Sequence, residues 1–282
     1  MSKRVLICSD STTDLGGELI EKYGIEILRL SVSLGGKIFT DGLDMNPDMI
    51  YRHYEAHGEL PKTAAPNISA FCSFFEEKIS RGDAVVFFTI SGEMSSTYNN
   101  ARLAAANYPD VYVVDTRNLS TGGGLLVLAA AEMAKNGMSA ADIAKECMAL
   151  TDKVDASFVI DNLEFLHKGG RCSAVAALAA GFLQLKPCIT VKGGKMGVTK
   201  KYRGKFARVL QMYIADRLAD DATIDTSHVF VTHAGCDEEI VSQCVEQVKA
   251  ALPWGEVHVT RAGCTISAHC GRNTLGVLFM HK

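Results

Sequence analysis

No stretch of this 282-residue chain approaches the roughly 20 consecutive apolar residues of a membrane-spanning helix, so stable insertion in a bilayer is not expected. It lacks a basic surplus as well. With 29 Lys and Arg against 32 Asp and Glu, the net charge is −3, which excludes nucleic acid and anionic membrane as main partners. Its nine cysteines (Cys8, Cys72, Cys147, Cys172, Cys188, Cys236, Cys244, Cys264 and Cys270) are odd in number, and none forms C-x-x-C. Most lie in apolar runs, where a thiol packs as a small hydrophobe, so they read as reduced and structural. No G-x-x-x-x-G-K-[ST], H-E-x-x-H or G-x-S-x-G string occurs, which removes the P-loop, the zinc protease and the α/β-hydrolase elbow. No residues are assigned to a metal. Repeats, low-complexity tracts and linkers are absent too. Two basic residues open the chain, but Ser9, Asp10 and Ser11 interrupt any apolar region behind them, so a cytoplasmic location is expected.

What is present is a core. Hydrophobic residues make up 48% and charged residues 22%, and the length suits two ordinary domains or one large one. Val5 to Cys8, Ile25 to Leu34, Val85 to Ile90 and Val111 to Val114 read as strands. Helical patterns follow at Met94 to Asn107 and in the Ala-rich stretch Leu125 to Lys135. Fully apolar strands alternating with helices predict a parallel sheet covered on both faces. The second half differs. Ser157 to Ile160 reads as a strand and Leu163 to Lys168 as a short helix that Gly169 and Gly170 terminate. Pro187 to Val191 and Met196 to Tyr202 read as a hairpin, followed by helices at Phe206 to Leu218 and Glu238 to Leu252. Further strands fall at Val229 to Thr232, Val257 to Thr260 and Leu275 to Met280. The expected architecture is an N-terminal parallel-sheet, three-layer α/β domain over 1–155 and a C-terminal α+β domain with a mixed sheet over 156–282.

Hydroxyls and acids gather where the first-half strands end: Ser9 through Asp14, Thr89 through Thr97, and Asp115-Thr116 with Ser120-Thr121. In an open parallel sheet these ends line one crevice, and each cluster precedes a helix whose first amides attract an anion. Each is equally a simple N-cap. Ser95, Ser96 and Thr97 after Gly92 form the best anion-facing group, while Gly122-Gly123-Gly124 reads as a close-packing or irregular helix start rather than a dinucleotide loop. Two histidines, His233 and His269, follow apolar strands near glycines, and His269 reads as part of a glycine-bounded turn ahead of the last strand. Arg171 follows a helix end, where a cation also complements the dipole.

Taken in order, these strings resemble the DegV family. Asp10-Ser11-Thr12-Thr13-Asp14-Leu15 is similar to its opening, and Thr63-Ala64-Ala65-Pro66-Asn67 stands where the family has Thr-Ser-x-Pro-Ser. Ser95-Ser96-Thr97-Tyr98-Asn99-Asn100-Ala101 resembles Ser-Gly-Thr-Tyr-x-x-Ala, and Leu166 to Ser173 resembles Leu-x-x-Gly-Gly-Arg-x-Ser. Lys186-Pro187, Tyr202-Arg203-Gly204 and the closing His269-x-Gly271 are similar to the C-terminal part of the family pattern. The resemblance implies two α/β domains with a long-chain fatty acid, palmitate-like, bound between them and no other cofactor. It implies that Thr63 and Ser95 hold the carboxylate, with Ser96 and His269 beside it, and that Arg171 and Arg203 lie near the head-group or a partner. It further implies a substrate-presenting lipid-binding protein, not itself an enzyme, whose partner is a separate fatty acid kinase. The chain departs from the pattern at Ser96 (for Gly), Asn67 (for Ser) and Ala64, and after His269 it lacks the family's proline and second glycine, which bears on the head-group geometry. Burying about 14 methylenes at about 0.8 kcal/mol each supplies on the order of 11 kcal/mol before association costs. The apolar stretch from Ala174 to Leu185 is a natural tunnel wall. Two other readings use the same crevice: an enzyme for a small carboxylate or phosphate with His269 or Asp115 as acid-base group, and a regulatory module for which the lipid is a structural ligand.

Overall fold

The computed structural model describes residues 3–173, 185–219 and 221–282; the expected tunnel wall at 174–184 lies outside the described residues. The first half is built on a four-stranded parallel sheet of order β2-β1-β6-β7, formed by β1 (Val5–Asp10), β2 (Glu26–Leu28), β6 (Ala84–Thr89) and β7 (Val111–Asp115). All of β6 is buried, as its uninterrupted apolar run requires. Helices α3 (Ile68–Ser80) and α4 (Thr97–Ala105) cover one face, where Phe71 and Phe75 pack on Phe87. On the other face lie α1 (Gly17–Tyr23), α5 (Ser120–Lys135) and α6 (Ala140–Leu150), giving three layers.

The expected strand at Ile25 to Leu34 is two strands in different sheets. β2 stops at Leu28, and β3 (Ser31–Leu34) joins β4 (Lys37–Thr40) and β5 (Lys62–Ala64) in a small antiparallel sheet with α2 (Pro47–His57) nearby. The break is stapled from outside, because the Leu30 amide donates to Ser11 Oγ at 3.1 Å.

The second half holds a six-stranded mixed sheet of order β10-β9-β8-β13-β11-β12. Its strands are β8 (Val154–Ile160), β9 (Leu185–Lys192), β10 (Lys195–Arg203), β11 (Ile224–His233), β12 (Glu256–Arg261) and β13 (Thr274–His281); only β11 and β12 pair in parallel. β9 and β10 form the expected hairpin. Helices α8 (Phe206–Arg217) and α9 (Glu238–Ala251) cover one face with Val159, Val229 and Val231. The opposite face turns Phe158, Ile160 and Phe230 onto α5.

α5 is therefore enclosed between two sheets, and its even apolarity suits that position. The glycine triplet lies inside its first turns. A Cβ on Gly122 would stand 2.2 Å from Asn118 Oδ1, so close approach, not loop freedom, explains it. Two short helices of the second half, α7 (Glu164–Gly169) and α10 (Cys264–Cys270), pack on α2 and β3 of the first, joining Phe165 and Ala268 to Val32, Ile50 and Tyr51. A division at 155/156 falls inside β8. No helix among the described residues is long and apolar enough to cross a membrane.

Candidate functional site

The Asp10–Asp14 turn positions the site without lining it. Asp10, fully buried, accepts from the amides of Thr12 (2.9 Å) and Ile90 (2.8 Å), tying β1 to the loop after β6. Asp14 accepts from Ser120 Oγ at 2.5 Å and from the Gly263 amide at 2.7 Å, linking α5 to the start of α10. Asp41 completes the frame. Its carboxylate takes the amides of Cys264 (2.8 Å) and Thr265 (3.2 Å), the Thr265 hydroxyl (2.6 Å) and the Ser11 hydroxyl (3.0 Å). Desolvation is the main cause that raises Asp10 to about 6 and Asp14 to about 8, and the charge of Asp41 adds to both.

This frame makes a helix of the segment read as a glycine-bounded turn. Cys264–Cys270 is helical, and Gly271, at φ +74°, ends it. The sequence offers no local N-cap there; the cap is Asp41, 223 residues away. His269 on α10 consequently faces β5, and its Nε2 lies 2.9 Å from Thr63 Oγ1. Its Nδ1 abuts Gly169, where a Cβ would come within 2.6 Å, and has no hydrogen-bond partner among the described residues. Burial, helped by the Arg171 charge, lowers the imidazole to about 4, so at neutral pH the ring carries one proton. A buried N–H without an acceptor costs more than an unused lone pair, which puts that proton on Nε2. Nε2 then donates to Thr63 Oγ1, and the Thr63 hydroxyl hydrogen is left to point elsewhere.

Ser95 closes the turn ahead of α4. Its Oγ lies 2.8 Å from Thr97 Oγ1 and accepts from the Thr97 amide at 3.3 Å. Ser96, where the family pattern has glycine, is exposed and makes no capping bond. Both groups face one cavity of about 570 Å³ between the two sheets, within the range of small-molecule sites. Thr63, Ser95, Ser96, Arg171 and His269 line it, together with Ser120, Thr232, His233, Thr265 and Thr274. The rest of the wall is largely apolar: Leu30, Ile90, Met94, Leu119, Phe158, Leu166, Met196, Ile266 and Leu278.

Arg171 is exposed at this cavity; its guanidinium donates to Gly169 O at 2.8 Å and has no carboxylate partner among the described residues. Arg203, exposed at the end of β10, is not part of the lining. Nor is Asp115, whose carboxylate is occupied by the amides of Gly92 and Arg117. Of the three hydroxyl clusters, only the second and Ser120 of the third reach the cavity. The first is consumed by bonds within the frame. The threonines of β11 and β13 escape sequence reasoning, since alternation marks them as sheet residues without saying what faces them.

Fold and cavity together define an α/β protein, built on two large sheets and one small one, that encloses a small-molecule-sized, mostly apolar space fringed by hydroxyls. The chain belongs to the DegV family, whose model matches residues 4–282. It is 30% identical over 99% of its length to a DegV domain-containing protein of Caldanaerobacter subterraneus, all of which is covered. A DegV family protein from Thermus thermophilus, described as fatty acid binding, superposes with a TM-score of 0.92 at 30% identity, covering 99% of this chain and 100% of the other. A stearic acid-binding protein from Eubacterium ventriosum superposes at 0.84 with 29% identity, covering 100% and 99%.

Proposed function

We propose that this chain binds a long-chain fatty acid in the cavity between its sheets and presents the carboxylate, in the cytosol, to a separate kinase that forms the acyl phosphate. The observation that carries this reading is the polarity of one cavity. Apolar side chains make most of its wall, while the bonded pair Thr63 and His269, the Ser95 hydroxyl and the exposed Arg171 all line the same cavity. A carboxylate accepts the Thr63 hydroxyl proton that His269 leaves free and the proton of Ser95, without a buried guanidinium whose desolvation would be costly. Arg171 stays in water, available to the head-group or to a partner. The similarity to fatty-acid-binding relatives supports the same ligand class.

The neutral His269 also fits a presenting role. The reaction's phosphoryl donor and metal ions belong to the partner in this reading, and the cavity supplies only position. The test is mass spectrometry of the purified protein under native conditions and after organic extraction, followed by fatty-acid titration of Thr63→Ala/Ser95→Ala. Loss of two hydrogen bonds to a charged group, each worth about 1.5–3 kcal/mol, predicts a decrease in affinity of at least about a hundredfold with the fold intact. Unchanged affinity refutes the grip, and absence of any acyl chain or binding refutes the ligand. Adding a fatty acid kinase and ATP to the loaded protein and finding no acyl phosphate would refute the presenting role alone.

A further inference from the structure

Strand β12 is an edge of the second sheet, and its pairing with β11 sets three metal-ligating side chains together. His228 lies opposite Glu256 and Phe230 opposite His258, so the three ligating residues share one face. That face is the one that buries Phe230 against α5. His228 Nδ1 is 3.1 Å from His258 Nε2, and His258 Nε2 is 3.6 Å from Glu256 Oε2. All three donor atoms lie within 4.8 Å of one another. A tetrahedral zinc ion with ligands at about 2.0–2.1 Å holds its donors about 3.3 Å apart, close to the two shorter spacings.

We propose that His228, Glu256 and His258 form a binding site for one divalent transition-metal ion of the zinc class, with its fourth position open to water. Two imidazoles and a carboxylate are a ligand set that zinc favours, and all three are partly exposed, which provides a path for the ion. Lys22 of α1 donates to both oxygens of Glu256, at 3.0 Å to Oε1 and 3.3 Å to Oε2, which fixes the carboxylate beside His258. Bound here, the ion cross-links the edge strand to its neighbour, and through Lys22 the site adjoins the first half. His228 and cavity-lining Thr232 lie four residues apart on the same face of β11, about 13 Å along the strand, so the site is separate from the cavity. It rests on this geometry alone and stands or falls independently of the fatty-acid reading.

The experiment uses full-length untagged protein, stripped with a chelator and titrated with zinc chloride against a chromophoric zinc indicator. One equivalent is expected, with affinity reduced by about a hundredfold or more in His258→Gln and in His228→Ala/His258→Ala. Glu256→Gln, a near-isosteric change of a half-exposed residue, reports on the site even if the histidine variants fail to fold. Cobalt should give tetrahedral absorption bands without thiolate charge transfer. No stoichiometric uptake by the wild type overturns the proposal. So does full uptake by a folded double-histidine variant, which moves the ion to the cysteines or to the His53–His57 pair of α2.

Discussion

Thr63 and His269 stand 206 residues apart and meet through one hydrogen bond, and the protonation of that bond decides what the cavity offers a ligand. In the unfolded chain the imidazole titrates at its ordinary 6.5; in the folded protein it titrates near 4. Between those values the unfolded state binds the extra proton. His269 therefore contributes stability that is fully present above pH 6.5 and is lost as the pH falls toward 4. Chemical denaturation between pH 7 and 4 should show a decline that His269→Gln makes shallower, since glutamine keeps a donor but does not titrate. An identical pH profile in both proteins would show that folding does not lower the imidazole's pKa. Asp14 and Asp10 act with the opposite sign: their folded values, about 8 and about 6, lie above the ordinary 3.8, so their contribution is lost as pH rises through those values. The contrast between His269→Gln and wild type isolates the histidine from them.

Among the elements, α10 shows how much of the site is tertiary in origin. Long, strongly patterned segments were legible in the sequence: β6, the β9–β10 hairpin, α8 and α9 follow from apolar runs, turn glycines and helical periodicity. The pieces that carry the cavity-lining Thr63 and His269 were not. β5 has three residues, too few for a period, and α10 has seven with its cap supplied by Asp41. The family resemblance, not residue patterning, singled out Thr63, while Ser95 was readable as the start of a helix after a buried strand. His228, Glu256 and His258 were beyond any motif, because only strand register brings them together. Asp41 is the position that tests the element-scale account. Asp41→Ala deletes four hydrogen bonds and leaves two amides of α10 unpaired, while relieving some repulsion on Asp10 and Asp14. The lost bonds outweigh the relief, and equilibrium denaturation should report about 1–3 kcal/mol of destabilisation. A loss below about 0.5 kcal/mol, the size of an ordinary surface change, would mean that α10 does not depend on this cap.

At the scale of the molecule, the cavity is walled by both halves: Thr63, Ile90, Met94 and Ser95 from the first, Phe158, Thr232, Ile266, His269 and Leu278 from the second. The halves are also joined directly, by α5 between the sheets and by Ser91 Oγ donating to Gly194 O at 2.7 Å, so the fold does not need a ligand to hold its parts together. A ligand that touches both still stabilises whichever state contains the assembled cavity. Mass action sets the size: at a free concentration one hundred times Kd the gain is about 2.7 kcal/mol, which for a chain of this length raises Tm by about 4–5 °C. Protein stripped of lipid should melt lower by that amount and recover on adding a saturating long-chain fatty acid. Thr63→Ala/Ser95→Ala should recover less at the same concentration, because its weaker grip lowers the ratio of free ligand to Kd. A melting temperature that ignores lipid, in protein that mass spectrometry shows to be loaded, would place the acyl chain outside this cavity, on a surface that unfolding does not destroy.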